Sequence, residues 1–219
     1  MTAPLTGSAF DSLHLDAMHD REALRQVYGL ASAAAVRKQM TDLTQQTRQL
    51  IGCSLLVLIA SADAEGRCDV SPRSGPPEFD AVLDARTVAT PDATGNKRLD
   101  TLQNVIANGQ AGLLFVIPGR TTTLRVNGRA CVSTHPELLS QLTAVGKPLA
   151  SALVVGIEEI YPRCPKALLR SAAWQPEQWL PADAQPTSAE VPLAQLRLPE
   201  LTIADNERAE AETLKYRYE

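Results

Sequence analysis

Lys97 and Arg98 stand side by side in the stretch from Thr90 to Thr101 (TPDATGNKRLDT), where an extended pattern ends, a Gly-bearing turn follows and a helical pattern begins. At such a junction the exposed N–H groups and the positive end of a helix dipole attract an anion, and two neighbouring cations strengthen that field. Without an anion, the same cations oppose the dipole by roughly a few tenths of a kcal/mol, so a bound phosphate would remove a local conflict. A solvated basic pair on a surface turn is the plain alternative on these residues alone.

A second informative stretch is DVSPRSG, Asp69 to Gly75. Strand alternation puts Asp69, Ser71 and Arg73 on one side and Val70 on the other. Pro72 removes a ladder donor, which suits an edge strand or one that separates from its neighbour to admit a ligand. Further along, Thr123, Arg125, Asn127 and Arg129 share one polar strand face, consistent with a dimer interface, a ligand groove or plain solvent. Lys166 and Arg170 lie four apart on one helix face. Trp174 either caps a planar ligand or closes the core. Cys53, Cys68, Cys131 and Cys164 form no CxxC pair, and His14, His19 and His135 are far apart, so no metal site is indicated. No Ser-His-Asp set, GxSxG elbow, Walker loop or GxGxxG occurs, so hydrolase, NTPase and Rossmann readings lack support. An enzyme with such a sequence takes its reactivity from an organic cofactor. These residues point to no catalytic acid or base.

The elements that must position these residues follow from periodicity. Helical spacing covers Arg21–Val27 and then Ala31 through Gln49, with Val36, Met40, Leu43 and Leu50 as one apolar stripe. Ser54–Ala60 is an apolar run of the kind buried on both faces, and Ala64-Glu65-Gly66 turns it into the Cys68–Arg73 strand. Phe79–Leu83 and Thr87–Thr90 flank a second hairpin. Leu99, Leu102, Val105 and Ile106 predict a helix that Asn108-Gly109 closes. Leu113–Ile117, Thr123–Ser133 and Ala152–Tyr161 read as strands, with short helices at Pro136–Val145 and Pro165–Ala172 between or after them. Beyond Trp174 prolines recur before a charged helical end at Asp205–Tyr218. This divides the chain into an arm (1–19), a β-rich domain (20–174) and a Pro-rich extension (175–219). An antiparallel barrel with α elements is the expected class.

Across 219 residues, 44% hydrophobic and 21% charged, the composition is that of a globular domain. A net charge of -4 argues against a dominant nucleic-acid surface. The start lacks a basic, apolar secretory leader and no apolar run approaches the roughly 18 residues of a membrane span. The expectation is a cytoplasmic protein without membrane or nucleic-acid partners.

Taken together, ADAEGRCDVSPRSGPP, TVATPDATGNKRLDTLQNVIANGQAGLLFVIPG, TLRVNGRA and CPKALLRSAAW resemble the pyridoxamine 5'-phosphate oxidase-like FMN-binding split-barrel superfamily, over roughly residues 20–175. The resemblance implies an α+β, mainly β fold: a six-stranded antiparallel split β-barrel with flanking helices, forming a homodimer with FMN at the subunit interface. It implies that Val70, Ser71, Pro72 and Arg73 run beside the flavin ring and ribityl chain, that Thr90 and Pro91 continue that wall, and that Asn96, Lys97 and Arg98 hold the phosphate. Thr123 and Arg125 would come from the other subunit, and Arg170 and Trp174 would approach the flavin. The C-terminal Arg–His pair with which the vitamin B6 oxidase binds substrate is missing, so pyridoxamine phosphate is not the expected substrate. The implied activity is FMN-dependent oxidation or reduction of a small molecule, with NAD(P)H as a possible donor. A flavin storage, sensing or carrier protein is the alternative, and a cofactorless or haem-binding split barrel is a third class.

Overall fold

The computed structural model describes residues 8–93, 97–142, 149–198 and 201–217. The chain divides into two compact units, residues 1–38 and 39–219. In the first, α1 (Ala9–His14), α2 (Arg21–Tyr28) and α3 (Ala33–Arg37) are short helices that bury no residue. Asp20 and Ser32 cap α2 and α3 with their side-chain oxygens.

The second unit opens with α4 (Gln45–Gly52), capped by Thr44, whose hydroxyl accepts from the Thr47 N–H. The continuous helix expected from Ala31 to Gln49 is therefore broken. Thr41, Asp42 and Thr44 offer the backbone side-chain partners that compete with helix, and Met40 instead exchanges two backbone hydrogen bonds with Ile160.

Seven antiparallel strands follow among the described residues: β1 (Leu56–Ala62), β2 (Cys68–Ser74), β3 (Ala81–Val82), β4 (Thr87–Asp92), β5 (Gln110–Val116), β6 (Leu124–Ser133) and β7 (Ser151–Pro162). They form one sheet in the order β2-β1-β5-β6-β7-β4-β3. The count is seven rather than the expected six because β3, a two-residue strand, pairs Ala81 with Ala89 and Val82 with Val88. Val57, Ile59, Phe115, Leu124, Val126 and Val155 fill the concave face of the sheet. Strand β1 is not buried on both faces as its apolar run suggested: Val57 and Ile59 point inward, whereas Ala60 is exposed. Helix α5 (Asp100–Asn108) buries Leu102 and Val105 and ends where Gly109, at φ 73°, donates its N–H to the Val105 carbonyl. Leu99 and Ile106, expected on the same apolar face, are exposed. The remaining α-helices among the described residues are α6 (Pro136–Gln141), α7 (Lys166–Arg170), α8 (Glu190–Leu196) and α9 (Ile203–Arg217).

The sheet curls into a half-barrel, and its register shows how. From Arg73 the cross-strand pairs run through Val57, Phe115 and Leu124 to Pro162, while Asp92 lies opposite Ser151 at the other end of β7. Even so, Arg73 Nη2 is 3.1 Å from Asp92 Oδ1. Only a twisted sheet with tilted, staggered strands brings those two positions together.

A bulge adds local curvature. Between Asn127 and Gly128 the β6–β7 register shifts by one residue, so Glu158 is unpaired. The burial sequence Ile157 in, Glu158 and Glu159 out, Ile160 in follows from that insertion, because a bulge lets two consecutive side chains share a face. Gly128 is required there: a Cβ at this position would stand 1.9 Å from the Gly156 carbonyl oxygen. Gly128→Ala is accordingly expected to destabilise the protein by about 3 kcal/mol, the upper end of overpacking costs, read as a lower midpoint in chemical denaturation; an unchanged midpoint would show that the two strands separate at no cost.

Candidate functional site

Strand β2 carries the organising row. Asp69, Ser71 and Arg73 are half-buried and lie across from Ser61, Ile59 and Val57, so they share the concave side of the sheet. Val70 and Pro72 are exposed on the opposite side. Arg73 donates from Nη1 to Ser71 Oγ at 2.9 Å and from Nη2 to Asp92 at the end of β4. Four residues back along the row, Asp69 Oδ2 accepts from the Thr101 hydroxyl at 2.7 Å. One face of β2 thus holds both the strand that leads into the basic segment and the helix that follows it.

The first turn of α5 follows a strained approach. Lys97 and Leu99 have φ values of 64° and 59°. Each left-handed non-glycine residue costs about 1 kcal/mol or more, so the local contacts over-determine this bend. Arg98 Nε donates to Asp100 at 2.8 Å, and that carboxylate raises the already high pKa of the guanidinium. Lys97 and Arg98 are both exposed. Asn96 lies outside the described residues. The donor set, namely the N–H groups opening a nine-residue helix, two cations before it and the hydroxyl of Ser71 on the adjoining strand, fits a phosphate monoester. Its charge balance is close: Arg73, Lys97 and Arg98 are offset by Asp69, Asp92 and Asp100. Directed donors, rather than net positive charge, are what such a site offers an anion.

Thr90 and Pro91 are buried at the end of β4. The Thr90 hydroxyl is committed to Asp80, donating to Oδ1 at 2.6 Å. Among the described residues Asp80 Oδ2 has no hydrogen-bond partner. Burial therefore pushes this carboxyl up to about 7, against the lowering effect of the Thr90 bond.

The polar face of β6 has its own partners. Arg125 Nη2 donates to Glu159 at 2.9 Å and its guanidinium lies 4.6 Å from the centroid of the Tyr161 ring. Asn127 donates to the same Glu159, and Arg129 is 3.6 Å from Glu158. Arg125 Nε is buried without a partner among the described residues. Thr123 is nearly buried, and its carbonyl accepts from the Arg163 N–H. Trp174 is 38% exposed and donates from Nε1 to the Arg120 carbonyl at 2.8 Å, so it closes against the turn that precedes β6. Arg170 is exposed on α7.

The structure therefore brings Ser71 and Arg73 together with the end of β4 and the start of α5, and it holds Thr123, Arg125 and Trp174 at the β6–β7 end. Asp69, Asp92, Thr101, Glu159 and Asp80 were not assigned site roles from sequence. The run Ile157-Glu-Glu-Ile160 carried a usable signal, since two adjacent charges inside an apolar strand break its period and mark a bulge. Among the described residues no group of His, Cys, Asp and Glu is placed to hold a metal ion, and no helix is long and apolar enough to cross a membrane.

A family model described as pyridoxamine 5'-phosphate oxidase matches residues 43–164, more than half of the chain. Among solved structures, HupZ from Group A Streptococcus is similar at 21% identity, over 55% of this chain and 93% of that one, with a TM-score of 0.46. A protein from Lactobacillus delbrueckii described as a putative pyridoxamine 5'-phosphate oxidase is similar at 23% identity, over 56% and 95%, with a TM-score of 0.44. An FMN-binding protein from Syntrophomonas wolfei is similar at 14% identity, over 65% and 96%, with a TM-score of 0.42. Among curated proteins, no sequence matches significantly.

Asp80 yields a pH prediction with a definite sign. Its carboxyl titrates near 3.8 when unfolded and near 7 when folded, so between those values the folded chain holds a proton that the unfolded chain has released. Its contribution is complete below about pH 4 and lost as pH rises to about 7. Wild type measured against Asp80→Asn should lose at most about 4 kcal/mol of relative stability across that window and none above it. A difference that stays constant with pH would show that Asp80 titrates in the folded chain as it does in the unfolded one.

Proposed function

From the chain's membership of the pyridoxamine 5'-phosphate oxidase family, we propose that it is a flavoprotein that binds FMN and acts as an oxidoreductase on a small molecule. The observation that carries this reading is the joining of Lys97, Arg98 and the start of α5 to the Ser71–Arg73 row of β2 through Thr101 and Asp92. When bound, the flavin supplies hydride acceptance and electron transfer.

The chain's own residues supply binding and orientation. The first N–H groups of α5, with Lys97 and Arg98, hold the phosphate. Among the described residues β2 pairs with a strand on one side only, β1; on β2 the Pro72 carbonyl already accepts from Arg73 Nη1, and the backbone groups left along the outer edge would hydrogen-bond a planar heterocycle. Val70 and Pro72 give that ring apolar contact, and Thr90 and Pro91 continue the wall and keep water from it. Arg73, held by Ser71 and Asp92 in a half-buried position, would offer a guanidinium to the bound cofactor and would favour negative charge on it. The protein works as a cytoplasmic homodimer, in which the face bearing Thr123 and Arg125 serves the flavin of the second protomer and Arg170 and Trp174 approach the flavin. Arg125 Nε, buried without a partner among the described residues, is the donor a partner or ligand would satisfy.

Two measurements test this. Purified protein is expected to carry visible flavin absorbance, and Lys97→Ala combined with Arg98→Ala to lose it. Unchanged flavin content in the double variant would rule out the phosphate site. Under anaerobic conditions NADH or NADPH is expected to bleach the bound flavin; absence of bleaching with either would leave binding without nicotinamide-driven turnover.

A further inference from the structure

Three side chains on one stripe of α5 dock it to the β1–β2 hairpin through hydrogen bonds rather than apolar packing. Thr101 donates to Asp69 at 2.7 Å, Asn104 to Ser61 Oγ at 3.1 Å and Asn108 to the Asp63 carbonyl at 3.3 Å. Leu102 and Val105 bury the neighbouring stripe. Apolar contacts place a helix loosely, because they are non-directional. A row of directed bonds at i, i+3 and i+7 fixes its rotation and its position along the strands.

The chemistry of the first bond is unusual for its place. Asp69 is a carboxylate at the opening turn of α5, beside two residues that would hold an anion, and bare repulsion there weakens anion binding. Thr101 is buried, 2% exposed, so its hydroxyl has no solvent to replace Asp69 as an acceptor. A carboxylate in that position is explained by what it holds.

We propose that Asp69 and Thr101 are positioning residues for the phosphate end of the flavin, setting the first turn of α5 so that its N–H groups and the Lys97–Arg98 pair converge on one anion. This rests on the flavin-binding reading above. The hydroxyl of Thr101 is the handle and Asp69 the fixed point. Donor placement within about 0.5 Å decides whether such a site is effective, so loss of the bond is felt at the phosphate and not at the ring.

The test compares FMN with riboflavin, which differ by the phosphate alone, on the full-length protein stripped of flavin. Wild type is expected to prefer FMN. Thr101→Val, which keeps shape and removes the hydroxyl, should lower that preference at least tenfold while riboflavin affinity changes less than twofold. Thr101→Ser should restore it, and matching thermal midpoints of the Ser variant and wild type would show that the fold is intact. Equal falls in FMN and riboflavin affinity, or an unchanged preference in Thr101→Val, would overturn the positioning role while leaving the flavin site standing. Wild type that binds neither flavin would overturn both.

Discussion

The Arg73–Asp92 ion pair joins an edge strand to a strand that the register places at the far end of the same sheet, and the site depends on that junction. Both side chains are mostly shielded, at 22% and 16% exposure. A pair in that position differs from a surface salt bridge: removing either member strands a poorly solvated charge, which is costlier than the pair itself is favourable. Because Asp92 ends β4, the bond also fixes where the chain leaves the barrel. Because Arg73 shares its strand face with Asp69, the same row reaches the helix that the chain enters next. Curl of the sheet, exit of β4 and entry of α5 are one geometric arrangement.

The outer face of β6 and β7 obeys a different constraint. Strand alternation would separate Glu158 from Glu159, and the bulge turns both outward. Glu159 then serves Arg125 and Asn127 together, while Glu158 stands near Arg129. A basic strand that would repel itself is thereby neutralised residue by residue. Gly128 permits it, since only a residue without a Cβ lets the β7 backbone approach so closely.

Much of this was legible in the residues. The alternation of Asp69, Ser71 and Arg73, the Gly109 cap and the β6 pattern are two- and four-residue signals that local backbone geometry dictates, and the structure agrees with them. Other features rest on contacts that no local pattern encodes. The partnership of Arg73 with Asp92 needs the stagger of the whole sheet. The burial of Asp80 could not be read from Phe79-Asp-Ala-Val82, where an acidic residue looks like the exposed start of a strand. The stripe Val36–Leu50 predicted one long helix because its spacing is helical, yet Thr41, Asp42 and Thr44 carry side chains that cap and turn the backbone, and Met40 found a strand partner in Ile160. Leu99 and Ile106 fit the period of α5 and are still exposed, because the stripe that meets the hairpin is the polar one.

The proposed function requires a flavin phosphate held at the corner where β4 gives way to α5 and where Asp69 anchors Thr101. A crystal structure of the protein grown with FMN tests this most directly. The phosphate is expected within hydrogen-bond reach of the first N–H groups of α5 and of Lys97 or Arg98, with the Thr101–Asp69 bond intact beneath it. A phosphate bound elsewhere on the chain, or projecting into solvent away from α5, would contradict it.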